Sequence, residues 1–250
     1  MSDTENTAQK PLHILHVFRA PLGGLFRHVC DLAEGQKKAG HKVGIICGEV
    51  PGDALAARQL AAIGAHCELG VHTIEMNRLP GIGDVTNIIK IMSCAMRMRA
   101  DVIHGHGAKG GTYARLLPRV AGGLRIYTPH GGSLHFDPRS LAGFAFLTAE
   151  RLMRRFTDAF VFESDFGLRT FTKKIGEPST LSAVIHNGVT EAEFTPVEPA
   201  SNAADFVFVG ELRELKGIGT LIDAATLAGH KMHLRIVGSG AERDIFEAQA

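Results

Sequence analysis

Short apolar runs alternate with amphipathic segments along the chain. Leu12–Phe18 and Lys42–Cys47 have the length and the branched, apolar content of buried strands. Between them, Leu25, Val29 and Leu32 recur at helical spacing. Strands that alternate with helices in this way predict an α/β fold, with a parallel sheet covered by helices on both faces.

The same alternation continues to the last residue. The predicted strands are Leu12–Phe18, Lys42–Cys47, Val71–Met76, Asp101–His106, Arg125–Thr128, Asp158–Glu163, Ser182–Asn187, Phe206–Val209 and His233–Val237. The predicted helices lie at about 25–40, 53–63, 85–96, 112–120, 140–157, 166–175 and 217–228, and from 241 onward. Ligands of such sheets bind at the carboxyl ends of the strands, where several glycine-rich turns are expected.

The segment 195–204 combines two prolines with small and polar residues, which is typical of a domain boundary. We therefore predict a disordered tail at 1–11, a Rossmann-like domain at 12–195, a linker at 196–204 and a second Rossmann-like domain from 205. The roughly 45 residues from 205 to 250 are fewer than the ~100–150 of a usual domain. The second doubly wound domain is thus expected to be cut short.

Composition narrows the class of protein. Of the 250 residues, 45% are hydrophobic and 21% charged, as in an ordinary globular protein. Lys and Arg number 27 against 26 for Asp and Glu, so the net charge of +1 argues against a nucleic-acid partner. The four cysteines form no Cys-x-x-Cys pair, and the polar start lacks a signal peptide, so a reducing, cytoplasmic location is expected.

The strongest local pattern for chemistry is the segment 206–217. An apolar strand leads through Gly210 into a turn that carries Arg213 and Lys216 to Gly217, where a helix is predicted to start. Backbone N–H groups at a helix start hold anions, and two nearby cations would stabilise a departing phosphate. Solvated surface cations are the alternative interpretation.

Two histidines alternate on one predicted strand. His104 and His106 therefore face the same side of the sheet, at its carboxyl edge. A zinc site would need further ligands, and no carboxylate or cysteine lies at a supporting spacing. A sugar-hydroxyl or phosphate contact from the glycine loop that includes Gly107 and Lys109 is the favoured interpretation.

His130 lies in a glycine-rich turn directly after another strand. It could hydrogen-bond a substrate hydroxyl or transfer a proton, or it could be a surface histidine near a turn. The pair Gly23 and Gly24 would let a ligand approach the backbone closely, or would simply form a tight turn. Gly238 begins a pattern similar to a dinucleotide fingerprint, but Arg243 replaces its third glycine.

Together these motifs resemble the family 4 glycosyltransferases of the GT-B fold, from Leu12 to the end. The resemblance rests on Gly23-Gly24, Asp101–His106, Thr128–His130, Val184–Val189 with Phe194 and Pro196, Phe208–Gly217, and Ile236–Gly240. It implies a retaining, metal-independent enzyme without a cofactor. Its partners would be a nucleotide-sugar donor, bound by the second domain, and a glycan or lipid-linked acceptor, bound by the first.

The resemblance also assigns roles to individual residues. Catalysis would involve His130, which contacts the transferred sugar, and Lys216 and Arg213, which stabilise the diphosphate. The donor would contact Gly23, Gly24, Gly210, Lys216, Gly217 and Gly238. The acceptor would contact His106, Gly107, Lys109, Gly132 and Asn187.

The sequence departs from the family pattern at two points. Glu211 stands where the family often has Arg, so that either Arg213 replaces this group or the phosphate contact is weaker. The Glu-x7-Glu segment of the family would lie beyond Ala250. An epimerase or phosphorylase, with the same fold but other chemistry, is an alternative. A non-catalytic sugar-binding fragment is another, which the expected loss of part of the second domain makes credible.

A peripheral membrane contact is a further alternative. It would use an amphipathic surface helix with Phe144, Phe146, Leu147, Arg151, Arg154 and Arg155. A helix that faces the core and exposes its arginines is the competing interpretation.

Overall fold

The computed structural model describes residues 10–49, 54–119, 122–228 and 232–250. The chain divides into two compact units, one that ends at Gly188 and one from Val189 to Ala250. The predicted tail lies largely outside the described residues. The predicted linker at 196–204 stays a prediction.

The first unit contains a seven-stranded sheet in which every neighbouring pair is parallel, in the order β3-β2-β1-β4-β5-β6-β7. Its strands are β1 (His13–Phe18), β2 (Lys42–Gly48), β3 (Val71–Ile74), β4 (Val102–His106), β5 (Leu124–Thr128), β6 (Ala159–Phe162) and β7 (Leu181–Val184). The strand order reverses between β1 and β4, which are direct neighbours. The predicted parallel α/β fold is confirmed.

In the described part of the first unit, six α-helices connect these strands. They are α1 (Gly23–Lys38), α2 (Ala54–Gly64), α3 (Gly83–Met98), α4 (Gly107–Leu116), α5 (Leu141–Met153) and α6 (Asp165–Lys174). Leu15 and Ile103 pack on one face of the sheet in a cluster with Ile91 of α3. Val43 and Ile45 pack on the other face with Val29 of α1. Both faces are therefore covered, as the apolar runs predict.

The start of α4 differs from the prediction. The segment 107–111 was expected to be a glycine loop before a helix at 112–120, but the helix begins at Gly107, directly after β4. A Cβ atom on Gly110 would collide with the Val17 carbonyl oxygen, and one on Gly111 with the Tyr127 ring. These glycines bring α4 close to β1 and β5, so the segment is the first turn of a helix and not a separate loop. Its predicted ligand contact stays a prediction.

A buried ion pair joins α4 to α5. Arg115 donates to Glu150 over 2.7 Å, and both side chains are almost completely buried. The other Glu150 oxygen accepts from Tyr127 at 3.0 Å and from Ser133 at 2.8 Å. Because Ser133 lies three residues after His130, this carboxylate anchors the turn that carries His130.

The predicted helix at 140–157 is α5 followed by a short 3-10 turn, Arg154–Phe156. Leu147 is fully buried, while Arg151 and Arg154 donate to the carbonyl oxygens of Lys174 and Glu177. Leu147 thus faces the core as the competing interpretation expects, whereas Phe144 is 66% exposed, and the membrane contact stays a prediction. Among the described residues, none of the helices combines the length and the apolar character needed to cross a bilayer.

The second unit has a two-stranded parallel sheet, β8 (Phe206–Val209) and β9 (Leu234–Val237). Two helices, α7 (Ile218–Ala228) and α8 (Arg243–Gln249), pack on it. Leu212, Ile218, Ile222 and Phe246 form its buried apolar cluster.

Candidate functional site

Five histidines meet at the carboxyl edge of the first unit's sheet, where the strand order reverses. His16 on β1 is paired in register with His104 on β4. His106 ends β4, and its ring centroid lies 3.9 Å from that of His104. His130 follows β5 and His28 lies on α1, with 5.0 Å between their ring centroids. This edge is where parallel α/β sheets bind their ligands.

Three of these imidazoles are joined end to end by hydrogen bonds. The His16 Nδ1 atom lies 2.9 Å from His106 Nε2, and His106 Nδ1 lies 3.1 Å from His130 Nε2. At one end of this row, His16 Nε2 lies 2.8 Å from the Oε1 atom of Gln36 on α1. At the other end, His130 Nδ1 lies 3.6 Å from a Glu163 carboxylate oxygen. We call Gln36, His16, His106, His130 and Glu163 the histidine row.

Burial keeps the imidazoles of the row neutral. It lowers the pKa of His16 to about 4, partly offset by the bond to Gln36. It lowers the pKa of His130 to about 3, and the nearby His28 lowers it further. Burial and the neighbouring histidines also hold the pKa of His106 well below its ordinary value. At neutral pH each ring therefore carries a single N–H proton.

His130 has a left-handed backbone with a φ of 49°, and Gly131 and Gly132 after it have φ values of 75° and 31°. Such a conformation costs a residue with a side chain about 1–2 kcal/mol. Strained backbone of this kind concentrates at functional sites. The strain turns the imidazole toward His106 and Glu163, where only 9% of the side chain remains exposed.

His28 borders the row. Burial lowers the pKa of His28, although Glu163 and a hydrogen bond with Asn187 oppose this shift. Its Nε2 atom is buried and has no hydrogen-bond partner among the described protein atoms. A ligand that reaches this corner would find an unpaired polar nitrogen beside His130.

Among the residues that the structure describes, two sets of three histidines have a spacing compatible with a metal ion. One set is His16, His104 and His106, and the other is His28, His106 and His130. Within each set, the candidate ligand atoms lie within 4.8 Å of one another. However, His106 already uses both of its nitrogens in hydrogen bonds to other imidazoles. His104 likewise bonds Thr128 Oγ1 at 2.8 Å. A metal would have to displace the protons that hold these contacts.

The structure brings together some of the predicted residues of the first unit. His106 and His130 share a hydrogen bond, and Asn187 contacts His28 beside them. Gly107, predicted to bind the acceptor, begins α4 with a φ of 64°. Gly132 lies two residues after His130, and a Cβ atom on it would lie 3.1 Å from the backbone nitrogen of Ala108. These roles stay predictions.

Lys109, another predicted acceptor contact, is already engaged. Its ammonium lies 2.7 Å from an Asp84 carboxylate oxygen and donates to the Leu79 carbonyl oxygen at 3.1 Å. Asp84 also accepts a hydrogen bond from Tyr113. Its predicted role is untested, and any acceptor that binds Lys109 has to share it with Asp84.

The predicted donor contacts Gly23 and Gly24 are the first two residues of α1. A Cβ atom on either would meet no atom within 4 Å, so the space above both is open. The sequence places them in the turn before the helix, whereas the structure includes them in its first turn. The donor role of both stays a prediction.

The second unit holds the remaining predicted residues. Lys216 is exposed at the end of a 3-10 turn, Glu214–Lys216, and Gly217 follows with a φ of 73°. Arg213 lies 3.6 Å from a carboxylate oxygen of Glu211, the residue that departs from the family pattern. Their phosphate-binding role stays a prediction.

Gly210 and Gly238 approach each other closely in this unit. A Cβ atom on Gly238 would collide with the carbonyl oxygen of Gly210. The packing of β8 against the end of β9 is thus sufficient to require glycine at 238. The predicted donor contacts of the two residues stay untested.

Sequence reasoning missed four members of this site, namely His16, His28, Gln36 and Glu163. Glu163 was predicted only as the last residue of the strand Asp158–Glu163. A signal existed for His16, since it lies between the apolar residues Leu15 and Val17 in the carboxyl half of a strand. Its meaning depends on the adjacency of β1 and β4, which the order of residues along the chain does not reveal.

The sequence profile of Glycosyltransferase Family 4 matches residues 22–193, more than half of the chain. The chain belongs to glycosyltransferase family 4. The match contains most of the sheet and all of the histidine row except His16. No curated protein sequence matches the chain significantly.

Solved structures of GT-B glycosyltransferases share its fold. HepE of Anabaena, in complex with UDP and glucose, is 19% identical, with a TM-score of 0.72 over 95% of this chain and 65% of that one. A glycosyltransferase from Rickettsia africae is 19% identical, with a TM-score of 0.69 over 96% and 63%. Sucrose-phosphate synthase from Thermosynechococcus elongatus is 17% identical, with a TM-score of 0.70 over 95% and 66%.

These likenesses establish the GT-B fold for the family 4 chain. It spans about two thirds of the length of each of these structures.

Proposed function

We propose that the protein is a hexosyltransferase that uses a nucleotide-sugar donor. It transfers the sugar to a glycan or a lipid-linked acceptor, with retention of the anomeric configuration. The observation that carries the proposal is His130, a strained and nearly buried imidazole at the ligand-binding edge of the sheet, within the region matched by the family profile. The UDP and glucose bound to HepE support a nucleotide-sugar as the donor.

Transfer separates charge between the sugar and the leaving nucleoside diphosphate. The anomeric centre becomes oxocarbenium-like as its bond to the diphosphate oxygen breaks. In our proposal Lys216 stabilises the diphosphate and Arg213 assists once it turns away from Glu211. His130 and Glu163 hold sugar hydroxyl groups, and no metal ion is required.

The location belongs to the same proposal. We propose a cytoplasmic enzyme, which would share its compartment with the nucleotide-sugar donor. It could reach a lipid-linked acceptor at the inner face of a membrane. The involvement of this enzyme in polysaccharide or glycolipid synthesis follows from such an acceptor.

The test is an assay of the protein with radiolabelled UDP-glucose and a glycolipid extract as the acceptor. We expect labelled, glycosylated product whose new linkage keeps the donor configuration, as read from the anomeric proton signals. His130→Ala and Lys216→Ala should each lower kcat by on the order of a hundredfold, because each removes a transition-state contact. Lys173→Ala, an exposed lysine on α6, is the control that should leave kcat unchanged.

Two results would contradict the proposal. Recovery of the label only as an epimerised sugar nucleotide would favour an epimerase. Full turnover by Lys216→Ala would remove that residue from the mechanism, and full turnover by His130→Ala would remove the observation on which the proposal rests.

A further inference from the structure

The histidine row forms a continuous series of hydrogen bonds, which a sugar contact at His130 alone would not require. Its hydrogen bonds run from Gln36 Oε1 to His16 Nε2 (2.8 Å), from His16 Nδ1 to His106 Nε2 (2.9 Å), and from His106 Nδ1 to His130 Nε2 (3.1 Å). Each ring thus faces the Gln36 end of the row with its Nε2 atom and the Glu163 end with its Nδ1 atom. His16 and His106 are buried on the neighbouring strands β1 and β4, and the His130 side chain, after β5, is 9% exposed.

Counting protons shows that the three rings cannot choose their tautomers independently. A neutral imidazole has one N–H and one acceptor nitrogen. Each gap between two rings must hold one proton, because two protons would repel and two lone pairs would leave the gap without a hydrogen bond. If one ring is protonated on Nε2, its neighbours must be protonated on Nε2 as well.

Gln36 decides which of the two arrangements occurs. Its Oε1 atom is an acceptor and faces His16, so His16 carries its proton on Nε2. His106 then donates from Nε2 to His16, and His130 donates from Nε2 to His106. The Nδ1 atom of His130 is left as an acceptor, 3.6 Å from the Glu163 carboxylate.

We propose that Gln36, His16 and His106 are positioning residues that fix His130 in the Nε2–H tautomer, so that His130 Nδ1 and Glu163 form a pair of hydrogen-bond acceptors for sugar hydroxyl groups. This inference rests on the proposed function for the identity of the ligand. The pair is 3.6 Å apart, a separation that suits two donors on adjacent carbon atoms of one ring. Gln36 and His16 contact no ligand and act only through the row.

The chemical consequence concerns which groups the site accepts. Two acceptors side by side repel each other unless hydroxyl donors lie in front of them, and the repulsion is relieved when a vicinal diol binds. A sugar that lacks one of the two hydroxyl groups leaves an acceptor unpaired. Such a loss lowers affinity by about 5- to 150-fold, because an acceptor is left without a hydrogen-bond donor.

The test reads the tautomers directly, without substrate and without turnover. Histidine labelled with ¹⁵N in the 250-residue chain gives separate two-bond ¹⁵N–¹H patterns for Nδ1–H rings, Nε2–H rings and imidazolium. At pH 7.5 we expect His16, His106 and His130 to be neutral and all protonated on Nε2. The assignment of each ring comes from its substitution by Gln.

The decisive variant is Gln36→Leu, which removes the acceptor at the far end of the row. His16 would then have no partner for an Nε2 proton, and the Glu163 carboxylate would attract a proton to His130 Nδ1. We expect all three rings to change together to the Nδ1–H tautomer. Gln59→Leu, an exposed glutamine on α2, is the matched control that should leave all three patterns unchanged.

Any other wild-type pattern, such as mixed tautomers or an imidazolium in the row, would overturn the proposal. So would a change in Gln36→Leu that is confined to His16. Visible absorption bands on adding Co²⁺ to the wild-type chain, with loss of the N–H signals, would also overturn it, because a metal would then replace the row's protons. The transferase assay is separate, so failure of the proposed function and failure of this inference can be told apart.

Discussion

At the scale of single residues, the site depends on imidazoles that stay neutral because burial disfavours their protonated form. His16 is fully buried and His130 nearly so, and both have pKa values far below the ordinary histidine value of about 6.5. The folded protein therefore resists protonation that the unfolded chain accepts. That difference has a consequence for stability that can be measured.

We predict that the free energy of unfolding falls as the pH is lowered from about 6.5 to about 4. Because the pKa of His16 is lowered to about 4 in the folded state, the unfolded state binds more protons across this window. Each such histidine adds a slope of up to about 1.4 kcal/mol per pH unit. Urea titrations at several pH values measure it.

The variant His16→Gln separates this effect from the loss of stability that protonation of carboxylates causes at acidic pH. Burial raises the pKa of Asp84, but hydrogen bonds from Lys109 and Tyr113 outweigh it, and the pKa lies below its ordinary value. Its contribution is therefore lost only at lower pH. His16→Gln should make the dependence between pH 6.5 and 4 less steep, and an unchanged slope would contradict the assignment.

At the scale of elements, close packing of α4 on the sheet sets the position of the row. Gly107 starts the helix directly after His106, and Gly110 lets the helix backbone touch β1. The residue that ends β4 is thereby fixed against His16 on β1. Glu150 of α5 fixes the other side, through Ser133 in the turn after His130.

We predict that Gly110→Ala destabilises the first unit, although alanine favours helices over glycine by about 1 kcal/mol. Its Cβ atom would lie 2.8 Å from the Phe18 α-carbon and still closer to the Val17 carbonyl oxygen. Overpacking of this kind costs about 1–3 kcal/mol or more. Thermal unfolding measures the difference.

Gly35→Ala is the matched control, because Gly35 lies inside α1 and a Cβ atom there would meet nothing within 4 Å. We expect this control to raise the melting temperature slightly. If both substitutions stabilise the protein, the approach of α4 to the sheet is looser than the structure shows.

The same helix shows how far sequence reasoning reaches. The apolar runs located every strand of the first unit. The reason is clearest for β2, whose apolar residues are buried, whereas β3 and β7 at the sheet edges are largely exposed. The start of α4 was misplaced because glycine usually signals a turn, whereas here Gly110 and Gly111 serve close packing. His104, His106 and His130 were identified from their places at strand ends. The contribution of His16 and Gln36 depends on which strands and helices are neighbours, and local patterns do not encode this.

At the scale of the whole molecule, the two units differ in how much core they possess. The first has three clusters of buried apolar residues on its seven-stranded sheet. The described part of the second unit has one cluster of four buried residues under two strands. A two-stranded sheet leaves both edges unpaired and is marginal on its own. We therefore expect the units to differ in stability.

We predict that limited digestion with a glutamyl endopeptidase releases a resistant first unit and degrades the second. Residues 185–203 are all exposed, and they include Glu191 and Glu198. Proteases need an accessible, locally unfolded segment, so cleavage there should precede cleavage at Glu150, which is buried in its ion pair. Mass spectrometry identifies the fragments.

Replacing Glu191, Glu193 and Glu198 with Gln should slow the first cut without changing the melting temperature of the first unit. Survival of the second unit as a fragment equally resistant to the protease would show that its small apolar cluster is sufficient for independent folding.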